Sequence, residues 1–241
     1  MPEADADSAA AAKPLLARGE APPYSVRKGG AGGPFLLLGD HAGAAFPRAL
    51  GDLGLPAAAR AAHIALDIGV AGLGGRLSER LGAPFITQRY SRLVIDCNRD
   101  PARPDSICET SDGVAVPGNQ GLGAAARAAR AAEVFDPYQL RIAEELDRWP
   151  GAPPILVSLH SFTPVMAGVA RPWRFGVLHL PGSRFSLAML GALRATPACG
   201  EVGDNAPYAM DGTDYTVPHH AVGRGLDYVE LEVRQDLIDD A

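Results

Sequence analysis

The sequence has little of what several classes of protein require, beginning with positive charge. Its formal net charge is -6 over 241 residues, so it lacks the basic face with which a protein binds nucleic acid. A local group of arginines can still bind an acidic small molecule, because a local charge outweighs the global sign at short range. We therefore expect no nucleic-acid partner.

Cysteines and long apolar runs are also scarce. The three cysteines, Cys97, Cys108 and Cys199, are an odd number, and no two have C-x-x-C spacing. We therefore expect no disulfide framework and no thiolate zinc cluster, and reduced thiols favour a cytoplasmic location. No stretch of about 18 uncharged apolar residues occurs, and the acidic N-terminus differs from the basic start of a signal peptide. No membrane span or secretion signal is expected.

What the sequence does have is enough apolar material for a large core. Hydrophobic residues make up 47% of the chain, which suits a globular domain of this length. Residues 1–33, rich in Ala, Pro, Gly and charge, are predicted to be a flexible or loosely docked arm. Residues 34–241 are predicted to form a single domain.

Apolar runs alternate with helical patterns in that domain. The predicted strands are residues 35–38, 85–88, 93–95, 154–159, 175–178 and 228–233. The predicted helices are residues 57–81, 136–148 and 183–193, and residues 98–123 are predicted to be a long loop, which is often functional. Pro56 and the pair Asp136-Pro137 indicate helix starts. The alternation predicts an α/β fold with a mostly parallel or mixed sheet.

Two of the six histidines stand at the ends of predicted buried strands. His41 follows the first strand and His160 follows the fourth. Ligands of open α/β sheets gather at the carboxyl ends of strands, and neutral imidazole is a common metal ligand. Each could instead be an ordinary hydrogen-bonded loop histidine, but the pair favours a metal site.

A third ligand is needed, because a catalytic zinc has three protein ligands and one open position. Asp67 is the best carboxylate, since it lies in a predicted helix that is otherwise apolar, where a buried charge needs a partner. His63 is four residues earlier on the same predicted face. An Asp67–His63 pair inside the helix is therefore the alternative.

Arginines bracket the predicted strand 93–95. Arg89, Arg92 and Arg99, with Asn98, could form a pocket for an acidic small molecule, because guanidinium binds a carboxylate through two parallel hydrogen bonds. Salt bridges to neighbouring aspartates are the alternative.

The last predicted strand carries two carboxylates on one face, Glu230 and Glu232, because they are two residues apart. Either could act as a general base on an activated water. A solvated face of an edge strand is the alternative, and the alternation does not separate the two.

Taken in order, these motifs resemble the N-formylglutamate amidohydrolase family and, more distantly, the zinc carboxypeptidases and aspartoacylase-like enzymes. The matching segments are residues 40–43 (DHAG), 63–69 (HIALDIG), 88–99 (QRYSRLVIDCNR), 158–162 (SLHSF), 203–205 (GDN) with Tyr208, 214–218 (DYTVP) and 229–237 (VELEVRQDL). Each segment is short, and their shared order from about residue 35 to 237 carries the resemblance.

The resemblance implies a three-layer αβα fold with a mixed, mostly parallel sheet, of the phosphorylase/hydrolase-like kind found in zinc carboxypeptidases. It implies one zinc ion on His41 and His160. Asp67 is the inferred third ligand, because Ala44 stands where the carboxypeptidases have the Glu of a His-x-x-Glu pair. The late Glu-x-Arg pattern favours Glu232 over Glu230 as the base.

The expected activity is hydrolysis of the amide bond of an N-formyl or other N-acyl amino acid such as N-formylglutamate. Glu232 would take a proton from the attacking water, and His220 would assist proton transfer unless it is only a loop histidine. The carboxylates of this small acidic substrate would be held by Arg89, Arg92, Asn98 and Arg99. A carboxypeptidase-type peptidase, a non-catalytic small-carboxylate-binding protein and a merely structural domain are the other possibilities, and the oligomeric state is not predicted.

Overall fold

The structure is a computed structural model that describes residues 14–30 and 33–239. Within those residues the strands are β1 (Tyr24–Arg27), β2 (Phe35–Gly39), β3 (Phe85–Gln88), β4 (Thr110–Ser111), β5 (Val114–Ala115), β6 (Ile155–Phe162), β7 (Val165–Met166), β8 (Val169–Ala170), β9 (Phe175–Leu178), β10 (Val202–Asp204) and β11 (Tyr228–Arg234). The α-helices of the same residues are α1 (Ala57–Arg60), α2 (Val70–Leu81), α3 (Ala124–Arg130), α4 (Asp136–Asp147), α5 (Arg184–Arg194) and α6 (Thr216–His220).

One sheet organises the described residues. Its strands lie in the order β1-β3-β2-β6-β11-β9-β10. The central strands β3, β2, β6 and β11 are parallel to one another, whereas β1 and β9 run antiparallel to their neighbours β3 and β11. The predicted mixed, mostly parallel sheet is confirmed. Its central strands have continuous apolar sequences because parallel strands are covered on both faces of the sheet.

Successive residues of the central strands face two separate apolar cores. Leu38 of β2 and Leu156 of β6 pack in the core that α4 covers. Leu37 and Val157, one residue away on each strand, pack in the core that α2 and α5 cover. This period of two is the strand period, and it produces the predicted αβα layers.

Two predicted elements are wrong. Residues 57–81 are not one helix, because α1 ends at Arg60 and α2 begins only at Val70. Gly69, with a φ of 82°, lies in the left-handed region, which a right-handed helix cannot continue through. Residues 93–95 form a buried turn instead of a strand. Asp67 therefore lies in a connecting turn, not on a helix.

The other predictions differ mainly at boundaries. The predicted loop 98–123 contains short 3-10 turns and the β4–β5 hairpin. The helical backbone reaches α4 from α3 through a π-helical turn, Ala131–Phe135. Asp136 is therefore inside helical backbone, and the prediction that it caps a helix start is wrong.

Part of the predicted arm is docked on the domain. β1 pairs with the edge of the sheet, from Tyr24 opposite Gln88 to Arg27 opposite Phe85, and Leu15 is only 7% exposed. Residues 1–13 and 31–32, which complete the predicted arm, lie outside the described residues. Among the described helices, none combines the length and apolar composition that crossing a membrane requires.

Candidate metal centre

A cavity of about 480 Å³ lies where β2, β6 and β11 reach their carboxyl ends. It is the edge of a parallel sheet at which α/β proteins usually bind ligands. Histidines and carboxylates from several separate segments of the chain line it.

His41 enters the cavity from the turn that follows β2. The apolar strand ends at Gly39, and the ring of His41 is almost completely buried. Its Nε2 lies 2.8 Å from Asp96 Oδ1, while its buried Nδ1 has no hydrogen-bond partner among the described residues. Its Nδ1 lies 3.4 Å from Asp67 Oδ2. Because a carboxylate can only accept, Nε2 carries a proton, which leaves Nδ1 as the candidate metal ligand of this ring.

His160 reaches the same point from β6. Its Nε2 lies 3.1 Å from Ser158 Oγ and 3.5 Å from Asp40 Oδ2. Its Nδ1 lies 2.9 Å from Asp67 Oδ2, and its ring centroid is 5.0 Å from that of His41. Both histidines thus turn Nδ1 towards the same carboxylate.

Asp67 is held in place by backbone contacts to both histidine segments. Its backbone N–H donates to the carbonyl of His41 at 2.9 Å, and the backbone N–H of Ser161 donates to its Oδ2 at 3.3 Å. His63 instead lies 3.1 Å from Asp112 through its Nε2. The alternative Asp67–His63 pair is therefore wrong, because the turn after α1 separates the two side chains.

The three side chains fit a divalent metal. One ligand atom each from His41, Asp67 and His160 lies within 4.8 Å of the others, and two imidazoles with one carboxylate form a ligand set common at catalytic zinc. The unpartnered Nδ1 of His41 faces this group. Asp96 and Asp40 contact the far nitrogens of the two rings, as the second layer of a metal site does.

Neighbouring charges keep the carboxylates of this group ionised. Burial would raise the pKa of Asp67, but the two adjacent histidines bring that pKa below its ordinary value. Burial likewise opposes ionisation of Asp96, but Arg92 and His41 hold its pKa well below the usual range. An ionised carboxylate is the form that binds a metal.

Glu230 and Glu232 project into the cavity from β11. In the pairing of β11 with β6, Glu232 lies opposite His160 and Glu230 lies opposite Ser158. Both are nearly buried, and the Oε2 of each has no partner among the described residues. Burial raises the pKa of Glu232 to about 7 and that of Glu230 to about 8. The solvated-edge alternative is wrong, because β11 is an inner strand.

Three residues of the predicted carboxylate pocket line the cavity: Arg92, Asn98 and Arg99. Arg92 donates to Asp96 Oδ2 through Nε at 3.1 Å and Nη2 at 2.6 Å, and Arg99 Nη1 lies 3.1 Å from Asp214 Oδ1. Asn98 Oδ1 accepts hydrogen bonds from the backbone N–H groups of residues 215 and 216. The predicted cluster exists, and its arginines also make the salt bridges of the alternative.

Arg89 and His220 do not join the site, which corrects both predictions. Arg89 turns towards the N-terminal segment, where its Nε donates to the carbonyl of Pro22 at 2.9 Å. His220 lies on α6, with its Nε2 2.8 Å from Gln139 Oε1. Burial lowers the pKa of His220 to about 3, so its ring stays neutral and does not carry a proton at neutral pH.

Sequence reasoning missed the supporting carboxylates Asp40, Asp96 and Asp214. Asp40 is fully buried, accepting from the Tyr138 hydroxyl at 2.7 Å. A signal existed for two of them, because Asp40 immediately precedes His41 and Asp96 lies two residues before Asn98 in the matching segment 88–99.

Comparisons with known proteins complete the description. The profile of a family described as N-formylglutamate amidohydrolase matches residues 33–239. The crystal structure of a gene product from Agrobacterium tumefaciens is 36% identical, with a TM-score of 0.87 over 93% of this chain and 90% of that one. The structure of an N-formylglutamate amidohydrolase from Ralstonia eutropha is 18% identical, with a TM-score of 0.61 over 90% and 87% of the two chains, and shows the same fold. No curated protein matches the chain.

Proposed function

We propose that this chain, which belongs to the N-formylglutamate amidohydrolase family, is a zinc-dependent hydrolase of an N-formyl or other N-acyl amino acid. Membership rests on the match over residues 33–239 and confirms the resemblance based on the order of motifs. An amidohydrolase activity follows from the family. The zinc, the roles of single residues and a cytoplasmic location are our proposals, the last supported by three free cysteines.

The convergence of two histidines and one carboxylate carries the proposal. His41 Nδ1, His160 Nδ1 and the Asp67 carboxylate would hold the ion at the cavity. When bound, zinc supplies Lewis acidity, which activates a water molecule and stabilises negative charge on the carbonyl oxygen. Asp96 and Asp40 would orient the two rings from their Nε2 sides, so that both Nδ1 atoms point to the Asp67 carboxylate, where the ion would lie.

Glu232 would serve as the general base and then as the general acid. It takes a proton from the attacking water as the carbon–oxygen bond forms, and it gives that proton to the departing amine as the carbon–nitrogen bond breaks. The products are a short carboxylate, formate for a formyl substrate, and a free amino acid. A pKa raised to about 7 suits both transfers, and its place opposite His160 supports Glu232 over Glu230.

The residues of the carboxylate pocket divide between two roles. The Nε and both Nη atoms of Arg92 already contact Asp67 or Asp96, so Arg92 would position those carboxylates. Arg99 would bind the α-carboxylate of the substrate. Asn98 would hold the start of α6 in place, through the backbone N–H groups of residues 215 and 216.

A hydrolysis screen tests the proposal. N-formyl, N-acetyl and N-succinyl amino acids are incubated with the purified protein, with and without a chelator, and product carboxylate and amine are measured. We expect formate and glutamate from N-formylglutamate, loss of turnover with chelator, and recovery when zinc is restored. A Glu232→Gln protein purified in parallel controls for a contaminating hydrolase.

Two outcomes of the screen would contradict the proposal. Turnover of short peptides with none of the N-acyl amino acids would favour a carboxypeptidase-type enzyme. No hydrolysis of any compound, with zinc present, would favour a non-catalytic small-carboxylate-binding protein.

A further inference from the structure

The cations that line the cavity are already matched by carboxylates. Among the described lining residues, the arginines are Arg92 and Arg99, and each lies against an aspartate. Glu230 and Glu232 add further acidic groups to the same wall. A substrate with two carboxylates brings a second negative charge into this acidic cavity, and that charge needs a cation that is not already paired.

Arg171 is a cation beside the cavity that has no such match. It follows the β7–β8 hairpin, and its guanidinium carbon lies 4.8 Å from the ring centroid of Tyr208 and 5.8 Å from that of Phe162. Its Nη1 donates to the Tyr208 hydroxyl at 2.9 Å and to the carbonyl of Thr163 at 3.5 Å. Phe162, Thr163 and Tyr208 all line the cavity. In residues 14–30 and 33–239, no carboxylate lies within 4.0 Å of its charged nitrogens.

The surroundings of Arg171 orient the guanidinium without neutralising it. Aromatic faces attract a guanidinium and restrict its orientation, and a hydroxyl and a carbonyl accept its protons but carry no full charge. The hydrogen bonds found use only Nη1. The remaining N–H groups can therefore donate to a carboxylate as a pair.

We infer that Arg171 binds the side-chain carboxylate of the substrate and is the residue that distinguishes this charged group from its neutral amide. The inference rests on the proposed function, because it assumes that the cavity holds an N-acyl amino acid. Tyr208 is the positioning residue, since its ring and hydroxyl hold the guanidinium beside residues that line the cavity.

A substrate pair isolates this contact. N-formylglutamate and N-formylglutamine have nearly the same shape and differ in the side-chain charge, so kcat and KM are measured for both with the zinc-loaded wild type and Arg171→Gln. We expect wild type to favour the glutamate compound by about 10- to 100-fold in kcat/KM, the range for a hydrogen bond to a charged group. In Arg171→Gln that preference disappears through KM, and the glutamine compound is turned over within about threefold of wild type.

Two further variants sharpen the test. Tyr208→Phe keeps the ring but removes the hydroxyl, so KM for the glutamate compound alone should rise a few fold. Arg184→Gln, at an exposed arginine on α5 that pairs with Asp227, should leave both substrates unchanged.

The outcomes separate the inference from the proposed function. An unchanged preference in Arg171→Gln, or an equal loss for both substrates, overturns the role of Arg171 while hydrolysis of N-formylglutamate still supports the function. Wild type that hydrolyses neither compound overturns the proposed function itself.

Discussion

In both β6 and β11, the side chains on one face of the strand differ sharply in character from those on the other face. Leu159 and Leu231 point to the face that packs against α2 and α5. His160 and Glu232, each one residue further along, point to the opposite face and line the cavity. The pleat of the strand thus separates the residues that stabilise the fold from those proposed to do chemistry.

The polar face costs stability that the apolar face must supply. Leu159 is completely buried, and burying a leucine contributes about 1.5–3 kcal/mol. On the cavity side, burial raises the pKa of Glu230 and Glu232, so burying their negative charge opposes folding. Substitutions on the polar face should therefore reduce activity far more than stability, and those on the apolar face the reverse.

The largest effect is expected from His160→Ala. The variant should lose bound zinc and roughly 1,000-fold or more in hydrolysis, because several kcal/mol of charge stabilisation disappear with the metal. Circular dichroism should show a folded protein. His179→Ala is the matched control, since His179 also lies near the carboxyl end of a strand, β9, and its Nε2 lies 3.0 Å from Asp204 Oδ1. If His160→Ala retains one zinc per chain, His160 is not a zinc ligand.

A large loss confined to turnover is expected from Glu232→Gln. The amide keeps the shape but cannot accept the proton, so kcat should fall about 100- to 10,000-fold, with zinc content unchanged. Glu230→Gln is the matched variant and should cost less than about tenfold. If Glu230→Gln is instead the damaging change, the general base is Glu230, two residues earlier on β11.

A smaller effect is expected from Asp96→Asn. It removes the charge that holds the His41 ring, so zinc affinity should fall about 10- to 100-fold, while kcat at saturating zinc stays near wild type. Competition with a chelator of known affinity measures the change. Asp112→Asn, next to His63 at the same cavity, is the control, and equal affinities for Asp96→Asn and wild type would refute the supporting role.

The smallest effect on hydrolysis is expected from Leu159→Ala, on the apolar face. The cavity left in the core should lower the free energy of unfolding by about 2–5 kcal/mol, measured by urea denaturation. Zinc content and kcat of the folded fraction should remain as in wild type. Loss of zinc at unchanged stability would break the separation of the two faces.

The sequence was sufficient for those parts of the fold and site that local patterns determine. The apolar runs of β2, β6, β9 and β11 predicted the sheet, and the positions of His41 and His160 after such runs predicted where two proposed ligands lie. These signals are local, since a buried strand needs continuous apolar residues wherever it sits in the sheet.

Features decided by tertiary contacts were not predictable in the same way. The alanine-rich segment before α2 has helix propensity, but Gly69 and the hydrogen bond from Asp67 N–H to His41 O make it a turn. The direction of the Arg89 side chain depends on its contact with the segment before β1. The sequence of that segment has no periodicity that would predict where it docks. His220 faces Gln139 because of how α6 packs on α4.

Zinc titration into metal-free wild type tests the central claim most directly. The protein is stripped with a chelator, dialysed, and given zinc in fractions of an equivalent while N-formylglutamate hydrolysis is measured. The account predicts no activity at the start, a linear rise and a plateau at one zinc per chain. Full activity in the metal-free protein, or a rise that Asp67→Asn reproduces with equal affinity, would contradict it.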